Sequence, residues 1–269
     1  MEVTNHMNQI QIITDAGSDI VDCSRTDLTV LPMTIRFGDE EYLDGVNLTH
    51  RQFYEKMIET QVLPTTSQPS PYAFEAAIRK IHEQGDIALI ITISSKLSGT
   101  WQSANIAAAE TGGEVYIVDS LNVAVGEKAI VEYALRMKDA GTDIHTIVET
   151  LNHEKENLRV IALLDTLEYL QKGGRISKTV AIAGSLLSIK PVVSVVDGEV
   201  ALLGKARGSR QGNNFLIQVL FPFPCSLYRM STYWFTASSF SAHATIPTIH
   251  LLRLSFQKSV SFVFTVSAN

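Results

Sequence analysis

The sequence predicts an α/β fold built on a parallel sheet with helices on both faces. Short apolar runs alternate with longer segments of helical periodicity over residues 10–157, the rhythm of consecutive β–α units. Boundary residues stand where the periodicity changes. In "SPYAFEAAIRKIHEQG", Ser70 is placed to cap, Pro71 to open the helix and Gly85 to stop it. A chain of 269 residues is long enough for one large domain or two moderate ones.

The first strand is "IQIIT" (10–14), an apolar run closed by Asp15. "LTVLPMTIRFG" (28–38) reads as extended and broken at Pro32, which cannot donate to a ladder. A helix over 49–60 starts at Thr49, and a second follows over 70–85. Strand 87–93, helix 98–110, strand 114–120, helix 123–139 and helix 143–157 complete the first block. A second block opens with strand 158–166 and contains a short helix at "LEYLQKGG" and another at "SKTVAIAGSLL". "KPVVSVVDGEVALLGKARG" (190–208) reads as a hairpin turning at Asp197-Gly198. The expected organisation is a disordered leader at 1–9, domains at 10–157 and 158–211, and a terminal segment at 212–269.

That terminal segment differs from the rest. It contains no Asp or Glu, although the protein has 28 acidic residues, and it holds 11 of the 21 aromatics. A soluble segment of this length ordinarily carries carboxylates, so 212–269 reads as an aberrant end, as a frameshift would produce. The bland alternative is a basic, β-rich extension.

Composition narrows the function classes. A net charge of −6 argues against nucleic acid or an anionic membrane as partner. Cys23 and Cys225 form no CxxC pair and fit reduced cytoplasmic thiols. The polar start "MEVTNHMNQ" lacks a signal-peptide core, and no apolar run is long enough for a transmembrane segment. The seven histidines are scattered, so no metal site is expected, and neither a Walker A nor a GxGxxG sequence occurs.

Ligands of open parallel sheets bind beyond the carboxyl ends of the strands, which gives weight to four polar segments. In "TDAGSD" (14–19), Asp15 is either a base or metal ligand, or a residue that closes a turn. In "PTTSQPSP" (64–71), Thr65, Thr66, Ser67 and Gln68 offer neutral hydrogen-bonding groups, more than capping needs. "ISSKLSGTWQSA" (93–104) places Ser94, Ser95, Ser98 and Gly99 where a strand becomes a helix, with Ser98 as the expected N-cap. Hydroxyls and free helix N–H groups there suit a carboxylate or phosphate. Simple capping and a serine nucleophile are the alternatives. "KGGRISK" (172–178) presents Arg175 from a tight turn. With "GKARG" (204–208) it gives Lys172, Arg175, Lys178, Lys205 and Arg207, which are either a phosphate-facing set or a solvated basic surface.

The motifs "IITDAGSDI", "TTSQPSP", "ISSKLSGTWQSA", "VYIVDS", "LEYLQKGGRIS" and "SIKPVVSVVDGEV" together resemble the DegV family of bacterial fatty-acid-binding proteins, over about residues 10–211. The resemblance implies two α/β domains with parallel sheets and one long-chain fatty acid, such as palmitate, bound between them. It implies no catalysis and no cofactor in the chain itself, with a separate fatty acid kinase as partner. Carried over by motif, Thr66 and Ser98 would hold the carboxylate, with Ser94, Ser95 and Gly99 beside them. Arg175 and Arg207 would face the kinase. Ala16 stands where most relatives carry a hydroxyl. Residues 212–269 match none of the family's C-terminal motifs, including its histidine, so the second domain is expected to be incomplete. The rival readings are a hydrolase or phosphotransferase using Ser98 or Asp15, and a small-anion sensor.

Overall fold

A computed structural model describes residues 8–21, 24–60, 62–176, 189–220 and 261–266. Residues 1–7, both cysteines and the helix expected over "SKTVAIAGSLL" lie outside the described residues. The chain divides into two compact units, Met1–Lys155 and Glu156–Asn269.

In the first unit, β1 (Ile10–Asp15), β2 (Leu28–Leu31), β6 (Ile87–Thr92) and β7 (Val115–Asp119) form a parallel sheet in the order β2-β1-β6-β7. Successive side chains alternate between the sheet's faces. Ile13, Ala88 and Ile90 meet Phe74, Ile78 and Ile81 of α2 (Pro71–His82), and Ala104 and Ala107 of α3 (Thr100–Thr111). The alanines let α3 approach closely. Thr14 points the other way, to α4 (Val125–Asp139), and α5 (Ile144–Glu154) covers β7 on the outside. The sheet is thus wrapped on both faces, as the alternating pattern predicts.

The extended run broken at Pro32 enters two sheets. After β2, the chain continues as β3 (Thr34–Phe37), which pairs antiparallel with β4 (Glu40–Leu43) and β5 (Thr65–Ser67). Ile35 and Phe37 pack with Leu48 under α1 (His50–Thr60). Ser70 accepts the Ala73 N–H at 3.2 Å and caps α2 in the expected way. Asp143 does the same for α5, accepting from Thr146 N at 3.0 Å.

The second unit corrects one expectation. Its strands β8 (Leu158–Leu163), β9 (Ile189–Val196), β10 (Glu199–Arg207) and β11 (Ser261–Val266) run antiparallel in the order β10-β9-β8-β11. Parallel sheets in both domains are therefore not found among the described strands. For β9 and β10 the reason is local. Asp197 and Gly198 both have positive φ, 50° and 82°, the geometry of a two-residue hairpin turn, which reverses the chain. The short helix α6 (Glu168–Lys172) contributes Leu170 to one face of this sheet, with Leu167, Ile176 and Val193. On the other face α7 (Gly208–Leu220) buries Leu216 against Ile161, Leu163 and Val192.

The element α7 also corrects the boundary expected at residue 211. Residues 212–220 complete an amphipathic helix that starts at Gly208, with Leu216 2% exposed. Scarcity of carboxylates did not mark its end, because an apolar helix face needs none.

Candidate functional site

The parallel sheet changes winding direction at β1. The chain leaves β1 for β2 on one side, while β6 lies on the other. Such a switch point opens a crevice beyond the carboxyl ends of the two strands. The segments leaving β1 and β6 here are "TDAGSD" and "ISSKLSGT".

Asp15 ties these two segments together. It is fully buried, its Oδ1 accepts Gly17 N at 2.8 Å, and its Oδ2 accepts Ile93 N at 2.9 Å. The first bond caps a single 3-10 turn, Ala16–Ser18. Burial pushes the Asp15 carboxyl up to about 6, against the lowering effect of its backbone donors. Of the two roles the sequence left open for Asp15, both oxygens serve the backbone. It is not presented as a base or metal ligand. Among the described residues, no group of three or more His, Cys, Asp or Glu side chains is arranged to hold a metal.

Beyond Ile93 the chain makes a compact loop. Ser94 is buried; its N–H donates to Asn122 O at 2.8 Å and its Oγ accepts Lys96 N at 3.2 Å. Its carbonyl accepts both Leu97 N at 3.0 Å and Ser98 N at 3.1 Å. Ser95 is exposed, with its N–H on Asp119 Oδ1 at 3.1 Å. Ser98 Oγ lies 2.9 Å from Thr100 Oγ1 and accepts the Thr100 N–H at 3.4 Å. The N-cap of α3 is Gly99, one residue later than expected, and its cap position makes no side-chain bond. Ser98 is drawn into the preceding turn by its N–H bond to Ser94, so its hydroxyl stands beside the helix entrance.

The second hydroxyl segment touches this helix entrance through Gln68. Thr66 is the middle residue of β5, opposite Ile35, and is exposed. Two residues on, Gln68 lies directly against Gly99. A Cβ on Gly99 would stand 2.7 Å from Gln68 Nε2, closer than side chains tolerate. The absence of a side chain at residue 99 is what lets the Gln68 amide lie this close, since the Gly99 backbone is not in a left-handed conformation.

Sequence reading missed two acidic residues of this region. Asp119, at the end of β7, accepts Ser95 N and Leu121 N and shapes the loop from below. Its place at a strand end was the available signal. Glu127 is fully buried on α4. It shares the buried stripe with Ile130, Val131 and Ala134 at helical spacing, and a carboxyl on such a stripe was the signal. Thr92 Oγ1, Asn122 Oδ1 and Glu127 Oε2 are buried without a hydrogen-bond partner.

Arg175 and Arg207 are both exposed in the second unit. Arg175 donates to Gly173 O, and its N–H donates to Leu170 O at 2.8 Å. Its neighbour Ile176 bridges to Val200 at the start of β10, whereas Arg207 ends that strand. Seven residues of strand are about 23 Å, so the two guanidinium groups do not converge on one small anion. Lys178 lies outside the described residues.

The family described as "uncharacterised protein, DegV family" matches residues 9–223. The chain belongs to the DegV family. The match also takes in residues 212–223, which sequence reading had assigned to the atypical end. A DegV domain-containing protein of Caldanaerobacter subterraneus subsp. tengcongensis is 34% identical over 217 residues, covering 80% of this chain and 77% of its own length. Among solved structures, a fatty-acid-binding DegV family protein from Thermus thermophilus superposes with a TM-score of 0.73 at 33% identity, covering 78% of this chain and 76% of that one. A stearic-acid-binding protein from Eubacterium ventriosum gives 0.73 at 27% identity, covering 78% and 75%. Among the described residues of this DegV chain, no helix is long and apolar enough to cross a membrane.

Proposed function

We propose that this DegV protein binds a long-chain fatty acid, such as palmitate, and holds its carboxylate at the entrance of α3. Thr66 and Ser98 supply hydroxyl donors, and N–H groups in the first turn of α3 supply the positive end of a helix dipole. Ser94 and Ser95 shape the loop, and Gly99 lets it close on Gln68. The observation that carries this reading is the seating of Gln68 on Gly99, which joins the two hydroxyl segments at one helix entrance. The fatty-acid-binding DegV relatives from Thermus thermophilus and Eubacterium ventriosum supply the ligand class.

A neutral hydroxyl site is sufficient, because most of the affinity comes from the acyl chain. At roughly 0.8 kcal/mol per buried CH₂, a long tail contributes about 10 kcal/mol gross before the cost of ordering it. Catalysis by Ser98 is disfavoured. Its Oγ pairs with the Thr100 hydroxyl, which cannot act as a general base. In this reading the chain is a cytoplasmic carrier without a cofactor. A separate fatty acid kinase performs any chemistry on the carboxylate, and Arg175 and Arg207 contact it at two separated points.

The test is a titration of delipidated protein with a fluorescent fatty acid. In the double variant Thr66→Ala/Ser98→Ala, each lost bond to the carboxylate costs about 1.5–3 kcal/mol. Affinity equal to that of the parent protein would overturn the head-group assignment.

A further inference from the structure

Beneath the loop that carries Ser98, two carboxyl groups are buried together. Glu127 Oε1 accepts the Thr14 hydroxyl at 3.0 Å. Glu127 Oε2 is buried without a hydrogen-bond partner, and it stands beside the Asp15 carboxyl. Gly17 marks how tightly they meet. A Cβ on it would lie 2.6 Å from Asp15 Oδ1 and 3.1 Å from Glu127 Oε2.

Two negative charges side by side in a dry site repel, and one proton held by the pair removes that repulsion. Among the described residues no lysine or arginine hydrogen-bonds either group, which leaves a proton to neutralise one of them. Asp15 has two backbone N–H donors and Glu127 one hydroxyl. The better-solvated Asp15 therefore carries the charge, and Glu127 carries the proton. Burial, followed by the charge of Asp15, raises the Glu127 carboxyl well above its ordinary range. Asp19, at the end of the 3-10 turn, adds negative charge on the same side, moderated by His50 and Lys128 and reinforced by Asp44.

We propose that protonated Glu127 is a positioning residue, whose Oε2–H completes the shell of Asp15 and so pins the loop bearing Ser98 and Gly99. The path is short. Asp15 Oδ2 holds Ile93 N, and the next residue, Ser94, holds Ser98 N through its carbonyl. Loss of the proton sets two charges against each other under this loop and frees Ile93. This inference rests on the fatty-acid reading for its consequence in binding, though not for its structural part.

Amide hydrogen exchange of the ligand-free protein tests the structural part. The readout is the exchange rate of Ile93 relative to Leu89, which lies in the core of β6, the strand that Ile93 follows. In Glu127→Gln, whose amide can donate to Asp15, the ratio matches the parent protein at neutral pH; in Glu127→Ala it rises at least tenfold. Fluorescent fatty acid affinity is then followed upward from pH 6.5. The parent protein loses affinity at least tenfold as the pair gives up its proton, while Glu127→Gln stays level. An unchanged Ile93 ratio in Glu127→Ala, or parallel pH profiles for the parent and Glu127→Gln, overturns the proposal. Should Glu127→Ala not fold, the two pH profiles decide. Should the parent bind no fatty acid at all, the fatty-acid reading fails, and the pH course of the Ile93 ratio in the parent and Glu127→Gln still decides the role of the pair.

Discussion

Gln68 rests on Gly99, and this contact joins the strand of one small sheet to the helix entrance of another. The sequence segments "TTSQP" and "LSGT" start at residues 65 and 97 and meet where the Gln68 amide lies against the bare Cα of residue 99.

Gly99→Ala is therefore expected to separate the two hydroxyl segments while sparing the core. The new methyl group must push the Gln68 amide away, since its Nε2 would be 2.7 Å distant. The predicted outcome is at least a tenfold loss of fatty acid affinity with an unchanged far-UV circular dichroism spectrum. Parent-like affinity would show that the contact does not organise the site.

Asp27 predicts an acid-sensitive clamp. Arg25 bridges Asp27 at 2.7 Å and Asp139 at 2.6 Å, and Lys138 also bonds Asp27. Hydrogen bonding from Arg25, then Lys138, holds the Asp27 carboxyl well below the usual carboxylate range. A depressed folded-state value means that this stabilisation is present above the unfolded value of 3.8 and is lost as pH falls through the folded one. Asp27→Asn should cost about 2 kcal/mol near neutral pH, solvent screening at Arg25 and Asp139 included. Urea denaturation at pH 7 and at pH 3 would check this, with the gap between variant and parent narrowing at the lower pH.

Asp15 predicts the opposite slope. Its folded-state carboxyl is raised from 3.8 to about 6 by burial, so its contribution to stability is full below pH 3.8 and is lost as pH rises through about 6. In urea denaturation, Asp15→Asn should remove that part of the pH dependence between pH 4 and 7. A variant with the parent's slope would contradict the assignment.

Phe74 anchors α2 to the sheet and is fully buried among Ile13, Ile78 and Ile90. Phe74→Ala should destabilise the first unit by about 3–5 kcal/mol. Thermal unfolding would register this as a clear fall in Tm.

Arg175 and Arg207 should separate binding from presentation. Either alanine variant is expected to keep fatty acid affinity within about twofold, which is under 0.5 kcal/mol. Each should also lower kinase-dependent phosphorylation of the bound acid. Loss of lipid affinity in either variant would move that arginine into the binding site.

The sequence disclosed most where residue chemistry is local. Ser70-Pro71 opened α2 as read, and Asp197-Gly198 turned the hairpin as read. Alternating apolar runs and helices were sufficient for the parallel sheet of the first unit. The same rhythm could not disclose the antiparallel second sheet beyond its hairpin, because strand direction depends on pairings distant in sequence. Asp15 could be read as a ligand or as a cap, and its oxygens on Gly17 N and Ile93 N show the cap. Glu127 was overlooked because its partner, Asp15, is more than a hundred residues away. In "FLIQVL", the absence of carboxylates suggested foreign sequence, yet Leu216 there packs on the sheet through an apolar helix face.

The most direct test of fatty acid binding is mass spectrometry of the purified protein, first under native conditions and then after denaturation and extraction. The account predicts a native mass above that of the chain by one long-chain fatty acid, released intact by denaturation at a stoichiometry near one. A protein that carries no lipid and takes up none when offered palmitate would contradict it, as would a mass increment that remains covalently attached to a serine.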